Sequence, residues 1–475
     1  MKMKLNLQKF YQACNPSRTL ALENREERQY YIDLASVQGG KIIQELARTI
    51  ARLSPDDPTC QLFTGHIGCG KSTELLRLKM QLEKEGFHVV YFESSQDLEM
   101  ADVDVTDVLL AIARQVSKNL EETEIKLRSP YFETLLQELA ELLQAPLNFS
   151  AEELLSSSIA KITVQTKESP KLRSRLRQYL EPRTSGILAA INSEVLLPAT
   201  EELKQRGKRG LVTIVDNLDR VDNRILASGR SQPEYLFVDR GEQLRKLKCH
   251  LVYTIPLSLI FSHELEGLKS RLGGGLGPKV LPMVPVQNRD GGDFEQGMNL
   301  LRNLVLARAF PEEEPEGRLG LTTKVFDSSD TLDRLCRASG GHVRNLLGLI
   351  YRCLQKEDPP LSRQSIEAVI QERAQELVLA ITQENWQLLR QVNRTKNIQG
   401  DARHQNLLRN MFIFEYRGGG AMRWFDINPL LAETKEFVAG SIVDCEGQSL
   451  GAEGHLASAQ ENGSFIKSWQ SSIQK

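Results

Sequence analysis

The sequence predicts an α/β fold with a parallel sheet, and three observations predict it. Short apolar runs with strand character recur along the 475 residues, at 60–64, 87–92, 211–216 and 250–255. The segment between the first two runs carries leucines at helical spacing, namely Leu75, Leu78 and Leu82. A glycine-rich turn joins the first run to this helix. Strand, turn, helix and strand in this order form a βαβ unit, in which both strands are parallel.

The glycine-rich turn fits the pattern G-x-x-x-x-G-K-[ST]. It reads Gly65-His66-Ile67-Gly68-Cys69-Gly70-Lys71-Ser72 and is followed by Thr73. Glycines let the backbone wrap closely around an anion, and the start of the following helix adds partial positive charge. In this pattern Lys71 reaches the β- and γ-phosphates of a nucleotide, and Ser72 offers its hydroxyl to Mg²⁺. We therefore predict that residues 65–73 bind ATP and Mg²⁺; a glycine-rich turn without a ligand is the alternative.

Composition excludes several classes of protein. Hydrophobic residues make up 40% of the chain and charged residues 26%, which is typical of a folded soluble protein. The net charge of −2 gives no overall attraction to nucleic acid or to an anionic membrane. No apolar run is long enough to span a bilayer, and the first residues lack the apolar segment of a secretory signal. Seven cysteines without a C-x-x-C pair indicate reduced thiols. We therefore expect a cytoplasmic protein without a membrane partner.

The chain is predicted to divide into five parts. A stretch without strand character interrupts the succession of strands, and its apolar residues recur at helical spacing. Basic residues predominate in its second half, where a solvated helix face is favoured over a nucleic-acid contact. The parts are an N-terminal lead-in at 1–59, a core at 60–290 with this helical insertion at about 103–209, a helical lid at 291–378, a small module at 379–436, and a loosely ordered tail at 437–475.

Hydrolysis of a bound nucleotide needs a carboxylate near Mg²⁺ and a group that orients water. Asp216 ends an apolar strand, and it is the candidate Mg²⁺ ligand together with Ser72. Its neighbour is Asn217, so two alternatives stay open: Asp219 supplies the water-orienting carboxylate, or Asp219 is structural and the enzyme is slow. Thr254 ends the next strand, where it either holds a water or the γ-phosphate or is a plain strand residue.

A second glycine turn, Ser339-Gly340-Gly341-His342-Val343-Arg344, precedes a helix of the predicted lid. Arg344 falls in the first turn of that helix. An arginine is always charged and makes a forked contact with phosphate oxygens. We predict that Arg344 contacts the γ-phosphate from the lid, with a surface salt bridge as the alternative. His342 is expected to pack rather than to act in catalysis.

Together these residues resemble the P-loop ATPases of the AAA+ and STAND type. The resemblance depends on the Gly65–Ser72 loop, the Asp216-Asn217-Leu218-Asp219-Arg220 segment and the Gly340–Arg344 turn. The acidic segment is similar to that of STAND and KAP-type NTPases, and the lid turn with its appended module to that of archaeal origin-recognition ATPases. The resemblance implies a five-stranded parallel sheet with the P-loop and acidic strands in its centre, a helical lid, and switching or assembly controlled by ATP.

Two features depart from that family pattern. The helical insertion places Asp216 unusually far along the chain from Lys71. No glutamate follows Asp216, so the expected activity is that of a slow ATPase.

The same resemblance implies a winged helix at 379–436. Two apolar stripes indicate helices, and the runs 412–416 and 422–427 flank Gly418-Gly419-Gly420 like a β-hairpin. A DNA partner and a protein partner both stay open for this module. The arginines that would meet DNA phosphates are Arg403, Arg409, Arg417 and Arg423. The candidates for an arginine finger, which would act on the site of a neighbouring subunit, are Arg240, Arg271 and Arg308.

Three functions compete. The leading hypothesis is an ATP-binding and hydrolysing switch of the AAA+/STAND type, in which nucleotide state controls lid movement and self-association through the nucleotide site. The alternative is a DNA-associated ATPase that resembles origin or transposition loaders and binds DNA through the winged helix. A small-molecule phosphotransferase is disfavoured, because such kinases are usually compact and this chain carries an insertion, a lid and an extra module.

Overall fold

The computed structural model describes residues 5–143, 155–167, 169–418 and 422–439. The predicted tail therefore lies outside the described residues from 440 onward. The centre of the predicted insertion, at 144–154, and the tip of the predicted hairpin, at 419–421, lie outside them as well.

Five parallel strands form one sheet, as the sequence predicts. They are β1 (Cys60–Gly65), β2 (His88–Glu93), β3 (Leu211–Asp216), β4 (His250–Thr254) and β5 (Lys279–Leu281). The order in the sheet is β2-β3-β4-β1-β5, so the P-loop strand and the acidic strand lie on either side of the central strand β4. The inner strands β3 and β4 are buried along their whole length, which explains why they read as unbroken apolar runs.

The direction of the strands gathers the predicted site residues at one edge of the sheet. Because all five strands are parallel, their carboxyl ends meet at the same edge. The Gly65–Ser72 loop leaves β1 there, Asp216 ends β3, and Thr254 ends β4. Sequence positions almost 200 residues apart are thereby brought together, since Phe63 of β1 pairs with Thr254 of β4.

Helices cover both faces of the sheet and build the remaining parts. The N-terminal part contains Leu7–Ala13, Arg25–Arg28, Ile42–Arg48 and Thr49–Leu53. The core contains Lys71–Lys84, Ser94–Asp97, Leu218–Arg220, Gln232–Glu234, Tyr235–Asp239, Gly241–Arg245, Leu257–Phe261 and Leu265–Arg271. The helix Lys71–Lys84 follows the glycine-rich loop and ends just before Gly86, whose φ of +93° suits only glycine well.

The insertion between β2 and β3 is helical and contains no strand among its described residues. Its helical segments are Val105–Glu121, Pro130–Leu143, Leu155–Lys167, Pro170–Leu180, Glu181–Arg183, Thr184–Ala190, Ile191–Leu196 and Leu197–Gln205. Apolar side chains such as Val108 and Ile112 pack in one cluster with Phe92 and Val215 of the sheet. The insertion therefore shares the hydrophobic core of the sheet instead of forming a core of its own.

A helical lid follows the sheet. Its helical segments are Glu295–Ala309, Pro315–Arg318, Leu319–Lys324, Ser329–Ser339, Val343–Leu354 and Arg363–Val378. Phe10, Cys14 and Leu34 of the N-terminal part are buried in the same apolar cluster as the lid helices. The lid therefore closes over the N-terminal part as well as over the core.

The last described part combines helices and a β-hairpin, as a winged helix does. The helices are Gln383–Thr395, Ala402–Arg409 and Pro429–Ala432, and the hairpin pairs β6 (Ile413–Arg417) with β7 (Arg423–Ile427). The hairpin is not free, because Phe414, Tyr416 and Trp424 are buried in the cluster that covers one face of the sheet. These elements confirm an α/β P-loop NTPase fold with a helical lid and a C-terminal winged-helix module.

Two expectations from composition can be compared with the described residues. The six cysteines in this part of the chain are all unpaired, and five of them are buried. No helix in the described ranges has both the length and the apolar character needed to cross a membrane.

Candidate nucleotide site

The glycine-rich loop takes a backbone shape that larger residues adopt only with strain. Gly68 has a φ of +88° and Gly70 a φ of +108°, which lie in the left-handed region. A Cβ atom on Gly68 would lie 2.6 Å from Nε2 of His342 and 2.8 Å from Cβ of Arg344. Glycine at position 68 is therefore required twice, by the turn and by the lid that packs on it.

Lys71 is buried and all three of its N–H donors are used within the chain. Its Nζ donates to the carbonyl oxygens of Gly65 and His66, at 2.9 and 2.8 Å, and forms an ion pair with Oδ2 of Asp219 at 2.9 Å. Burial is the largest single influence on the pKa of Lys71 and lowers it, but the charge of Asp219, the hydrogen bond to it and the charges of Cys69 and Asp216 together outweigh burial, and the net pKa is raised. The lysine is therefore held as an ammonium at the mouth of the loop.

Asp216 lies deep at the same edge of the sheet. Its Oδ2 accepts a hydrogen bond from the Tyr91 hydroxyl at 2.8 Å, and its Oδ1 accepts the Asn217 N–H at 2.7 Å. Burial raises the pKa of Asp216, the charge of Asp219 raises it further, and hydrogen bonds from Ser72 and Tyr91 oppose the shift. The two predicted Mg²⁺ ligands, Ser72 and Asp216, are therefore neighbours. Tyr91, on the adjacent strand β2, is a partner that the sequence analysis did not identify.

Asp219 combines a paired oxygen with an unpaired one. Oδ2 contacts Lys71, whereas Oδ1 is buried and has no hydrogen-bond partner among the described residues. The side chain lines the same cavity as the glycine-rich loop. A buried carboxylate oxygen without a donor is costly, so this atom points to a hydrogen-bonding group that the chain itself does not supply.

Thr254 is engaged with the backbone of the acidic segment. Its hydroxyl donates to the carbonyl of Val215 at 3.3 Å and accepts the Leu218 N–H at 3.0 Å. Thr254 is fully buried and is not among the residues that line the cavity. In this structure it positions the turn that carries Asp219, and it does not face the loop where a γ-phosphate would lie.

The lid contacts the glycine-rich loop directly. Nε2 of His342 lies 2.8 Å from the carbonyl oxygen of Ile67, and the backbone N–H of Arg344 donates to the carbonyl of Gly68 at 3.2 Å. Burial, with the charges of Arg344 and Lys71, lowers the pKa of His342 to about 4. The Arg344 guanidinium is half-buried and lines the cavity, and burial followed by the charge of Arg220 lowers its pKa.

The cavity between loop and lid has a volume of about 110 Å³, and its third wall is the N-terminal part. Tyr30, Tyr31 and Gln38 belong to this wall, and the Tyr31 hydroxyl donates to Glu74 of the helix after the loop at 2.8 Å. The sequence analysis treated residues 1–59 only as a lead-in. The aromatic pair Tyr30-Tyr31 in a polar stretch was the signal available, but nothing local indicates that it returns to the loop.

The three arginine-finger candidates are placed differently from one another. Arg308 is buried, donates to the Tyr30 carbonyl, and lines the cavity of its own chain, so it does not face outward to a neighbouring subunit. Arg240 is bound to the Tyr235 hydroxyl at 3.0 Å and to Glu181 at 2.7 Å. Arg271 lies 3.7 Å from Asp239.

The winged-helix module contacts the loop from the other side. Nε2 of His66 accepts the backbone N–H of Glu415 at 2.9 Å, and the Met283 N–H donates to the Glu415 carbonyl at 3.0 Å. Burial, with the charges of His342 and Lys71, lowers the pKa of His66 well below its usual value. The imidazole is therefore neutral and acts as an acceptor. His66, which occupies a variable position of the glycine-rich pattern, joins β6 of the module to the glycine-rich loop.

The four arginines that could have met DNA all pair with carboxylates of the same chain. Arg417 and Arg423 contact the buried Glu415, at 3.4 and 2.9 Å. Arg409 contacts Asp222 at 3.3 Å, and Arg403 contacts Glu384 at 2.9 Å. The local positive charge that the sequence suggests for this module is largely neutralised in the fold.

Among comparisons with known proteins, only the one with solved structures finds similar chains. No protein-family model matches the sequence, and a search of curated proteins finds no match. Solved structures with a similar course of the chain include Cdc6p from Pyrobaculum aerophilum, with 12% identity, coverage of 92% of this chain and 98% of that chain, and a TM-score of 0.37. They also include the ADPNP–ADP complexes of the Aeropyrum pernix ORC2 protein, with 13% identity, coverage of 86% and 93%, and a TM-score of 0.31. The ADP form of that protein has 11% identity, coverage of 90% of this chain and 99% of that chain, and a TM-score of 0.36.

Proposed function

We propose that this chain is a Mg²⁺-dependent ATPase of the AAA+/STAND group that uses ATP binding and hydrolysis as a switch. One observation carries the proposal: an ammonium, a carboxylate and a lid guanidinium, those of Lys71, Asp219 and Arg344, line one cavity at the glycine-rich loop. Cations and loop amides suit an anionic phosphate, and a carboxylate beside them suits attack by water. Hydrolysis of a nucleoside triphosphate combines both requirements.

The Lys71–Asp219 ion pair suggests how binding prepares hydrolysis. An ammonium has three donors, and Lys71 gives all of them to Asp219 and to two loop carbonyls. A phosphate oxygen that accepts from Lys71 would therefore displace one of these partners. If it displaces Asp219, the carboxylate becomes free to orient a water and accept its proton. Binding of the triphosphate would thereby release the base that hydrolyses it.

The residues at the end of β3 fit a magnesium ion. A buried carboxylate beside a hydroxyl, as in Asp216 and Ser72, offers the hard oxygen ligands that Mg²⁺ prefers. Among the described residues, no group of three or more His, Cys, Asp or Glu side chains could hold a metal ion by itself. Mg²⁺ would therefore be held by Ser72 and Asp216 together with phosphate oxygens and water. When bound, the ion neutralises charge on the phosphates.

The contacts of the loop suggest how nucleotide state would be transmitted. The carbonyls of Ile67 and Gly68 are held by the lid, and the His66 side chain is held by the module. A loop that reshapes around a phosphate changes the direction of these groups, so both outer parts have different contacts in the two states. We propose that lid movement, and self-association through the same face, follow from this coupling. The absence of a glutamate after Asp216 supports slow turnover.

Binding of ATP and its turnover test the proposal. Lys71→Ala removes the ammonium that grips the phosphates, so ATP affinity should fall by about 100-fold, as expected for loss of a charge-assisted hydrogen bond. Asp219→Asn should slow turnover by about 100-fold or more, as for loss of a general base, and should weaken binding much less. Lys246→Ala serves as the matched control, because Lys246 is 60% exposed and its one ion pair with a described residue is with its helical neighbour Glu242.

The outcome separates the competing functions. Unchanged ATP affinity in Lys71→Ala, with circular dichroism showing an intact fold, would contradict the site. Duplex DNA added at low salt tests the DNA-associated alternative, since a phosphate-contacting protein loses affinity steeply as salt rises. The particle mass with and without ATP tests self-association. Phosphate transfer to a metabolite instead of water would support a phosphotransferase.

A further inference from the structure

Arg220 is a cation at the nucleotide cavity that neither the glycine-rich loop nor the lid supplies. It follows Asp219 directly and ends the short helical turn Leu218–Arg220. Its side chain is exposed and lines the same cavity as Ser72 and Arg344. The turn is fixed from below, since the Leu218 N–H donates to the Thr254 hydroxyl at 3.0 Å. Arg220 therefore extends from a rigid support into the cavity.

Neither guanidinium at this cavity mouth has a partner. Among the described residues, no carboxylate or carbonyl forms an ion pair or hydrogen bond with the side chain of Arg220 or of Arg344. A nearby arginine shows the ordinary situation: Arg224, four residues further on, pairs with Asp102 and donates to Gln232 at 2.7 Å. On this segment, the arginine that lines the cavity is therefore the one without a partner, and the arginine that lies away from the cavity is paired.

The two unpaired guanidiniums also affect each other. After burial, the charge of Arg220 is the largest influence that lowers the pKa of Arg344. Like charges repel each other. The charge of Asp219 acts on the pKa of Arg344 in the opposite direction, but its influence ranks below that of Arg220. Oδ2 of Asp219 is paired with Lys71 at 2.9 Å, and its Oδ1 forms a hydrogen bond with neither guanidinium. An anion placed between the two arginines would remove this repulsion and give both forked groups acceptors.

We propose that Arg220 and Arg344 form a two-arginine clamp on the γ-phosphate of ATP, with both arginines supplied by one chain. This inference rests on the proposed function and deepens it. The clamp distinguishes ATP from ADP, because only ATP carries the group that bridges the two guanidiniums. It also makes hydrolysis independent of an arginine from a second subunit. Arg220 contacts the transferred phosphoryl group and stabilises its charge, while Asp219 beside it accepts the proton of the attacking water.

The test compares three variants for ATP affinity, ADP affinity and turnover. Arg220→Ala should weaken ATP binding by about 10- to 100-fold, as for one charge-assisted contact, and change ADP binding by no more than about threefold. Arg220→Lys should recover part of the affinity, because a point charge replaces the fork. Arg224→Ala is the matched control on the same segment, and it should leave both affinities unchanged. Turnover per chain should stay constant on dilution of the unmodified protein.

Two results would overturn the clamp while leaving the ATPase intact. Equal loss of ATP and ADP affinity in Arg220→Ala would mean that Arg220 attracts nucleotides only by general charge. Turnover that collapses on dilution would mean that a second subunit supplies the decisive arginine. If the unmodified chain binds neither nucleotide, the proposed function itself fails, and the clamp fails with it. Circular dichroism of each variant excludes loss of fold as the cause of a change.

Discussion

The nucleotide cavity and the winged-helix module use the same residue type in opposite ways. Arg220 and Arg344 line the cavity and have no carboxylate partner among the described residues. Arg417 and Arg423 in the module share the buried carboxylate of Glu415, and Arg409 pairs with Asp222. Both regions look basic in the sequence. In the cavity two guanidiniums lie together without a carboxylate partner among the described residues, whereas these three arginines of the module are each paired. This difference locates the anion-binding site more sharply than the number of basic residues does.

Glu415→Gln removes the negative charge that Arg417 and Arg423 share, so these arginines would lack a carboxylate partner as the cavity arginines do. Of the substitutions in the module, we expect this one to have the largest effect on stability. The Glu415 carboxylate is fully buried, whereas its partners Arg417 and Arg423 are 22% and 38% exposed. Glutamine keeps an oxygen that accepts from the arginines but removes the negative charge that they share. Because hydrogen bonds to charged groups contribute about 1.5–3 kcal/mol each and solvent screens part of the interaction, we expect a loss of about 2–3 kcal/mol. Denaturant unfolding monitored by circular dichroism measures the loss.

A second variant makes that experiment decisive. Glu415→Gln combined with Arg423→Gln removes one of the cations left unpaired, so it should recover part of the lost stability. If Glu415→Gln unfolds at the same denaturant concentration as the unmodified chain, the arginines of the module are not held by Glu415. The contrast with the cavity then disappears.

Two histidines beside the glycine-rich loop extend the comparison, because burial keeps both of them neutral. Burial, reinforced by nearby cations, lowers the pKa of both His66 and His342, and that of His342 to about 4. In the unfolded chain a histidine has a pKa of about 6.5. Between pH 6.5 and 4, His342 is therefore protonated in the unfolded state but stays neutral in the folded state. Stability should be complete above pH 6.5 and fall as the pH decreases to 4, by about 3 kcal/mol for His342 alone.

The measurement is the free energy of unfolding at a series of pH values, compared between the unmodified chain and His342→Gln. Glutamine keeps a donor for the Ile67 carbonyl but does not titrate in this range. Carboxylates contribute equally to both proteins, so the difference between the two curves isolates the histidine. Parallel curves would show that His342 is protonated freely in the folded chain.

Local patterns explain what could be predicted from the sequence. The glycine-rich loop, the strands of the sheet and the helices of the lid each follow from a short run of residues with a regular period. Parallel strands then gather their ends at one edge, so the meeting of Lys71 and the acidic segment was predictable as well. The two helices and the hairpin of the module were found for the same reason.

The remaining features depend on contacts between distant segments. His66 and Glu415 are 349 positions apart, and Arg409 and Asp222 are 187 positions apart. Nothing in a single sequence indicates such a pair, so the arginines of the module looked available for DNA. The N-terminal wall of the cavity was missed for the same reason, because Tyr31 and Glu74 are 43 positions apart in the sequence. Covariation between related sequences would be the signal that finds them.

Arg409→Ala tests a pair of intermediate strength. Arg409 joins the module to the segment after Arg220, through Asp222 at 3.3 Å and the Val221 carbonyl at 3.3 Å. The Asp222 side chain is 54% exposed, so solvent screens the ion pair, whereas the contact with the carbonyl is better shielded. We expect a loss of about 1 kcal/mol in the free energy of unfolding. Loss of DNA affinity instead of stability would show that Arg409 serves a nucleic acid after all.

Arg403→Ala should have the smallest effect. Arg403 and Glu384 are 58% and 64% exposed, so water already solvates both charges in the folded chain. An exposed pair of this kind contributes about 0–1 kcal/mol, and we expect a change below about 0.5 kcal/mol. The same denaturant titration measures it, with Glu384→Ala as the control for the other half of the pair. Because this pair is weakly held, it is also the one that DNA could most easily replace. A salt-dependent loss of DNA binding in Arg403→Ala, with stability unchanged, would make the module a second site of uncompensated charge.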